Sequence, residues 1–328
     1  MSDVETQVKE FSAAFEKLRG EVANIIVGQN ELIEGVLIAV LAGGHVLLEG
    51  LPGLGKTRLV KTIADTLELK FSRIQCTPDL MPADILGTTI LSEDERGQRY
   101  FQFQRGPVFS NLVLTDEINR ATPKTQSALL QAMQEGAVTI GTTTHSLDQP
   151  FFVLATQNPI EMEGTYPLPE AQLDRFMLKL LVPRSDQATL VSILERTTTG
   201  SEIKPAKVLS GATVLSWRKL IDHIPVARPA LEYVARLVLG THPDQSHAPS
   251  AVKAYVKYGA SPRGAQSIVM FAKVRALTQR RYNVALEDIR YAVRPALRHR
   301  LILNFEGEAA GIQTDAILDE LLKTITKE

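Results

Sequence analysis

Gly50-Leu51-Pro52-Gly53-Leu54-Gly55-Lys56-Thr57 is a complete G-x-x-x-x-G-K-T phosphate loop. The pattern carries a mechanism. Its glycines let backbone N–H groups close around phosphate oxygens, its lysine reaches the β- and γ-phosphates, and its threonine hydroxyl meets Mg2+. Immediately before it, His45-Val46-Leu47-Leu48-Glu49 reads as a short buried strand. Immediately after it, residues 56–67 read as a helix with Leu59, Ile63 and Leu67 on one face. Strand, loop and helix are the context the motif needs, and the helix N-terminus adds its dipole to the anion site.

Further out, short apolar runs alternate with amphipathic ones as far as about Pro183. Residues 70–75, 112–115, 151–156 and 177–182 are the other predicted strands, which together imply a parallel sheet covered by helices. Thr122 as N-cap, Pro123 at the first helical position and Gly136 past the end bracket a helix with Leu129, Leu130 and Met133 inward. Two segments exceed a minimal α/β core. Residues 88–103 suggest a hairpin around Glu93-Asp94-Glu95-Arg96-Gly97, and residues 137–141 with 145–152 suggest a second. Such additions are expected to face a partner or substrate. After Pro183-Arg184-Ser185 the pattern turns helical, punctuated by Pro205, Pro229, Pro243, Pro249 and Pro262. Its best-marked helix starts at Ser261 and Pro262 and aligns Ile268, Phe271, Ala272 and Ala276. The expected organisation is a nucleotide-binding α/β domain over residues 1–183 and a helical domain over 184–328.

Composition narrows the function class. The 328 residues carry a formal net charge of -1, so there is no global basic footprint for nucleic acid. The one basic concentration, residues 273–300, holds eight Lys/Arg against two acids and reads as the solvated faces of two helices. Cys76 is the only cysteine, which excludes an intrachain disulfide. The N-terminus lacks the basic flank and apolar core of a signal peptide, and the apolar run 36–48 is too short to span a bilayer and is broken by Gly43-Gly44. A cytoplasmic protein is expected. His242 and His247, with Asp244 between them, read as an exposed loop marked by Pro243 and Pro249 rather than as a metal site.

The remaining chemistry sits at strand ends. Leu112-Val113-Leu114-Thr115 runs into Asp116-Glu117. A carboxylate there, beside the phosphate loop, is where Mg2+ needs a ligand, and Asp116 fits; Glu117 is placed to take a proton from the attacking water. Asn158, after the 151–156 strand, can position that water without adding charge. Arg120 either supports the following loop or faces a neighbour. Arg263 lies in a helical first turn, a poor place for a cation on dipole grounds, which suggests an anion for it to meet.

Several separated blocks occur in order: the loop, Leu114-Thr115-Asp116-Glu117-Ile118-Asn119-Arg120-Ala121, the run from Thr125 to Glu135, Ala155-Thr156-Gln157-Asn158-Pro159, Leu168-Pro169-Glu170-Ala171-Gln172-Leu173-Asp174-Arg175-Phe176, and Gly259-Ala260-Ser261-Pro262-Arg263. Together they resemble the MoxR family of AAA+ ATPases over nearly the whole chain. The resemblance implies an α/β P-loop NTPase of AAA+ type, a parallel sheet covered by helices with inserted β-hairpins, followed by an all-α lid. It implies ATP and Mg2+ as cofactors, with Val27, Gly28 and Gln29 against the adenine and Gly50, Pro52, Gly53, Leu54, Gly55, Lys56 and Thr57 around the phosphates. Thr57 and Asp116 would ligate the metal. The implied catalytic set is Lys56, Glu117, Asn158 as sensor 1, Arg175 as an arginine finger on the adjacent subunit's ATP, and Arg263 as sensor 2 on its own subunit's γ-phosphate. The hairpins would be the helix-2 insert and the pre-sensor-1 hairpin. Implied partners are further copies of the chain in a hexameric ring and a protein client whose maturation or cofactor or metal insertion it assists, with a von Willebrand factor A-domain protein alongside.

Two other readings compete. A nucleic-acid motor is opposed by the near-neutral charge and supported only by the 273–300 cluster. A nucleotide-gated scaffold without turnover is opposed by the presence of Glu117 and Arg175. GTP is disfavoured: Asp84-Ile85-Leu86-Gly87 mimics a D-x-x-G segment, but no N-K-x-D segment exists to read guanine.

Overall fold

Alternation within each strand decides which side of the sheet each residue serves. The computed structural model describes residues 2–51, 53–159, 164–198 and 204–325. The first half contains α1 (Ser2–Ile25), α2 (Asn30–Ala42), β1 (Val46–Glu49), α3 (Lys56–Thr66), β2 (Phe71–Gln75), α4 (Pro82–Leu86), β3 (Gly87–Glu93), β4 (Arg99–Arg105), β5 (Leu112–Asp116), α5 (Pro123–Glu135), β6 (Ala137–Ile140), β7 (Thr143–Ser146), β8 (Phe152–Gln157), α6 (Glu170–Leu173) and β9 (Leu178–Leu181). Five strands form a parallel sheet in the order β2-β5-β8-β1-β9. Val46 and Leu48 of β1 join Leu112, Leu114 and Leu154 in one apolar cluster, while Leu47 joins Val113, Val153 and Ala155 in another on the opposite face. The register pairs Glu49 with Gln157, Thr115 with Ala155, and Gln75 with Asp116. The carboxyl ends of β1, β2, β5 and β8 therefore make one edge, where open parallel sheets bind their ligands.

Both inserted hairpins are present. β3 and β4 pair with Leu91 opposite Phe101, both exposed. The second hairpin is shorter than the sequence pattern suggests, because its return strand β7 stops at Ser146 and Phe152 already opens β8. Pro150 between them has no N–H to give to a ladder. Neither hairpin joins the main sheet.

The second half contains α7 (Gln187–Thr197), α8 (Gly211–Asp222), α9 (Arg228–Leu239), α10 (Ser250–Tyr255), β10 (Val256–Tyr258), α11 (Pro262–Thr278), α12 (Leu286–Leu297), β11 (Ile302–Leu303), α13 (Phe305–Ala309) and α14 (Thr314–Thr324). It is helical apart from the short β10–β11 pair. Its apolar residues, among them Phe271, Ile289, Val293 and Leu318, belong to the same cluster as Val46 and Leu48. Two helices form the joint. α2 is buried along nearly its whole length, and α1 sinks Val8, Phe11, Phe15, Leu18 and Val22 at helical spacing. Phe11 packs 4.7 Å from Trp217 of α8, and Ser12 Oγ donates to the carbonyl of Thr278 at the end of α11.

The basic stretch 273–300 corrects the expectation of solvated helix faces. Arg275 and Arg281 both grip the fully buried Asp288, Arg294 pairs with Asp319, Arg298 with Asp315 and Arg300 with Asp174. These cations hold the helices to one another and to the sheet.

Candidate functional site

Backbone conformation explains the loop's glycines. Gly53 and Gly55 have φ of 80° and 76°, the left-handed region, and a Cβ at either would meet nothing within 4 Å. The space above them is open for a ligand. Gly50 is required for a different reason: a Cβ there would lie 2.7 Å from Val182, just past β9. Lys56 is buried and donates to the carbonyl of Gly50 at 2.8 Å, and Thr57 follows in the first turn of α3. Pro52 lies outside the described residues. Gln29 donates from Nε2 to the Leu54 carbonyl at 3.1 Å, which ties the segment before α2 to the loop. Gly28 has φ of 75°, and a Cβ there would strike Thr189 of α7 at 2.4 Å. Val27, Gly28 and Gln29 thus lie between the loop and the first helix of the second half.

The carboxylates stand at the end of β5. Thr156 Oγ1 donates to Asp116 Oδ1 at 2.6 Å and accepts the backbone N–H of Glu117 at 2.8 Å, so one hydroxyl sets both residues. Glu117 holds φ of 56° and ψ of 50°, strained for a residue with a side chain. Its Oε2 accepts from Gln75 Nε2 at 3.0 Å and Arg120 Nη1 at 3.1 Å. Arg73 Nη2 donates to Asp116 Oδ2 at 2.7 Å. Asn158 is buried directly after β8. Arg73, Gln75 and Thr156 were not anticipated from sequence. Their signal was present as polar residues at alternate positions of β2 and near the end of β8, but their partner depends on β2 and β8 both flanking β5.

Arg175 and Arg263 are elsewhere. Together they line a pocket with Gly44, His45 and Met133, at the start of β1. The phosphate loop begins at the other end of that strand, on the order of 13 Å away along its four residues. The pocket, about 330 Å³, also takes in Arg300 and the carboxylate of Asp174. Three guanidinium groups meet a single acid there, and the buried Nε of Arg175 has no acceptor among the described residues.

The sequence comparisons agree with this architecture. Residues 45–178 match the ATPase family associated with various cellular activities (AAA), and residues 248–321 match the AAA lid domain. Chaperone MoxR1 of Mycobacterium tuberculosis is 42% identical over 93% of this chain and 80% of its own length. The chain belongs to the MoxR family of AAA+ ATPases. Protein MoxR of Methylorubrum extorquens is 33% identical over 95% of this chain and 94% of its own. A crystal structure of a candidate ATPase from Cytophaga hutchinsonii superposes with a TM-score of 0.92 at 42% identity, covering 99% of this chain and 98% of that one.

As a MoxR-family ATPase the chain has an AAA+ sheet and helical lid, as its sequence implied. Arg263, which the family resemblance assigns to its own subunit's γ-phosphate, lies beside Arg175 at the start of β1 in this structure. The reason is the joint described above: α11, which Arg263 begins, packs on α1 and α2, and Ser261 at its N-cap bonds Asp174.

The residues fit a nucleotide-bound Mg2+. Thr57 and Asp116 supply a hydroxyl and a carboxylate, hard oxygen donors, and no cluster of three or more His, Cys, Asp or Glu among the described residues could hold a metal alone. One or two protein oxygens completed by phosphate and water is the usual Mg2+ arrangement in such enzymes. No helix among the described residues is long and apolar enough to cross a membrane.

His45, in the arginine pocket, accepts the Val153 N–H at Nδ1 and donates from Nε2 to the Met133 carbonyl. Burial pushes its pKa down to about 4. Its linkage to stability therefore has a definite sign. The unfolded chain, with an ordinary histidine pKa near ~6.5, binds the proton that the folded chain refuses, so stability falls as pH drops from about 6.5 to about 4. Buried His299, also lowered, adds to the slope. Urea unfolding between pH 4.5 and 7.5, pH values chosen to span that window, should give a shallower slope for His45→Gln than for the native chain. Equal slopes would refute the assignment.

Proposed function

We propose that this ATPase is a chaperone-like remodeller whose Mg2+-dependent active sites are shared between neighbouring subunits of a ring. The observation that carries the reading is the separation of the two half-sites. The phosphate loop, Asp116 and Glu117 stand at the carboxyl edge of the sheet, while Arg175 and Arg263 share an anion-poor pocket at the start of β1. Head-to-tail association brings one subunit's arginines to the next subunit's γ-phosphate, and a rotation that closes makes a ring, hexameric as the family resemblance implies.

In that complex Lys56 exchanges the Gly50 carbonyl for the β- and γ-phosphates, and Val27, Gly28 and Gln29 hold the base. Thr57 and Asp116 would hold Mg2+, whose chemistry there would be to neutralise charge on the phosphate oxygens. Glu117 takes a proton from water positioned with the help of Asn158. The water oxygen bonds to the γ-phosphorus as the bond to the β–γ bridging oxygen breaks, and ADP departs. Arg175 and Arg263 of the adjoining subunit stabilise the charge that develops on the transferring group.

Residues 1–183 form the nucleotide domain and 184–328 the lid in this reading. The work done is on a protein client in the cytoplasm, its maturation or its cofactor or metal insertion, with a von Willebrand factor A-domain protein as companion. The name of the mycobacterial relative, a chaperone, supports this. The nucleic-acid alternative is weakened because five of the eight 273–300 cations, Arg275, Arg281, Arg294, Arg298 and Arg300, are held in pairs with acids of the same chain.

The test is ATP turnover per subunit as a function of protein concentration. Specific activity should climb with concentration and level off once rings are complete. Activity independent of concentration down to the monomer, shown by sedimentation, would end the shared-site reading.

A further inference from the structure

Arg175 sits in the four-residue link Asp174-Arg175-Phe176-Met177 between α6 and β9. The link's first N–H groups continue the turn of α6, Arg175 donating to the Gln172 carbonyl and Phe176 to that of Leu173, but its carbonyls and the Asp174 carboxylate take no bond from that turn. Its acceptors are instead taken up by the lid. Arg300, just beyond α12 and only 2% exposed, donates from Nε to Asp174 Oδ1 at 2.8 Å. Its Nη2 donates to the carbonyls of Asp174 and Phe176 at 2.9 and 2.8 Å, and its Nη1 to the Met177 carbonyl at 3.2 Å and to Ala296 of α12. The adjacent His299 donates from Nε2 to the Phe176 carbonyl at 3.0 Å. Ser261 Oγ donates to the Asp174 carboxylate, with distances of 2.8 and 2.9 Å to its two oxygens, while accepting the Arg263 N–H at 3.1 Å. The Arg263 guanidinium lies 3.9 Å from the same carboxylate.

Two features single out Arg300. It is nearly inaccessible, and every nitrogen of its guanidinium is already donating within the chain, so it has nothing left for a phosphate. Arg175 and Arg263 are the reverse, half-exposed or lacking an acceptor at Nε. A buried, fully engaged arginine that binds the carbonyls on both sides of another arginine acts on the second through the backbone. The planar fork matters, because its donors must meet a carboxylate and several carbonyls together, which an ammonium cannot do.

We infer that Arg300 and Asp174 form a clasp by which the lid aims Arg175, and through Ser261 also Arg263, at the neighbouring subunit's nucleotide. Arg300 is a positioning residue, not a catalytic one. Lid and finger then move as one body, so a displacement of the lid in one subunit alters hydrolysis in the next. The inference rests on the shared-site reading above.

The experiment compares Arg300→Gln, Arg300→Lys and Asp174→Asn in the full chain, measuring kcat, KM for ATP, thermal unfolding and ring assembly. A misaimed finger should lower kcat about 10- to 100-fold while KM changes little, and lysine should not rescue. A structural role alone could also lower kcat, so the deciding measurement mixes subunits. An Arg300→Gln subunit keeps its own loop and Glu117, so it should regain turnover when Glu117→Gln subunits, with intact donor faces, are added. Asp174→Asn, which preserves volume, should behave the same way if Arg300→Gln folds poorly. Co-assembly without regained turnover would overturn the clasp. Failure of the shared-site reading looks different: Arg175→Ala mixed with Glu117→Gln would then also regain no turnover despite co-assembly, whereas failure of the clasp alone leaves that mixture active.

Discussion

Arg175→Ala should lower ATP turnover by ~10³ or more, the usual contribution of an arginine presented to a transferring phosphoryl group. Binding of ATP should survive, because Arg175 lies at the far end of β1 from its own phosphate loop. That combination separates a finger from a simple structural arginine. The alternative, an ion pair with Asp174, is not what the structure contains: the Asp174 carboxylate is taken by Arg300 and Ser261, and Arg175 Nε is left without an acceptor. Stopped-flow binding of a fluorescent nucleotide together with steady-state turnover reads both halves of the expectation. A variant that loses nucleotide affinity in proportion to its turnover would place Arg175 in its own subunit's site.

Glu117→Gln should cost about 10²- to 10⁴-fold in turnover and leave the protein loaded with unhydrolysed ATP. The amide keeps the volume and can still accept from Gln75 and Arg120, so the local hydrogen bonds survive while the capacity to take a proton does not. The expected single-turnover result is retained ATP with no burst of ADP. Normal hydrolysis in this variant would move the base elsewhere. Mixing it with Arg175→Ala makes the two predictions interlock. At equal amounts about a quarter of the junctions in a head-to-tail ring pair an intact Glu117 with an intact Arg175, and activity should return to that extent. A mixture as inactive as its components, despite co-assembly, would mean that each site is complete within one subunit.

The phosphate loop, the five core strands and the Thr122-to-Gly136 helix were legible in the sequence because each is governed by local chemistry: glycine conformations, period-two apolar runs, caps. Asp116 and Glu117 were legible for the same reason, following an apolar strand without interruption. Helix α1 was not anticipated. Its buried residues are spaced for a helix, but only contact with α3, α8 and α11 makes that stripe a core rather than a surface. The 273–300 cations were misread because a charge run gives no sign of its partners, and Asp174, Asp315 and Asp319 lie outside the run.

The candidate nucleotide site was therefore legible in contiguous residues, since a phosphate loop and a strand-end carboxylate carry their geometry within a few residues of backbone. The allocation of the arginines was not. Whether Arg263 serves its own subunit or the next, and whether Arg300 is a surface cation or the holder of Arg175, depends on how the lid packs on α1, α2 and β9. That packing is long-range burial, which brings Arg300 to Asp174 across 126 positions of chain, and no local pattern of residues encodes such a contact.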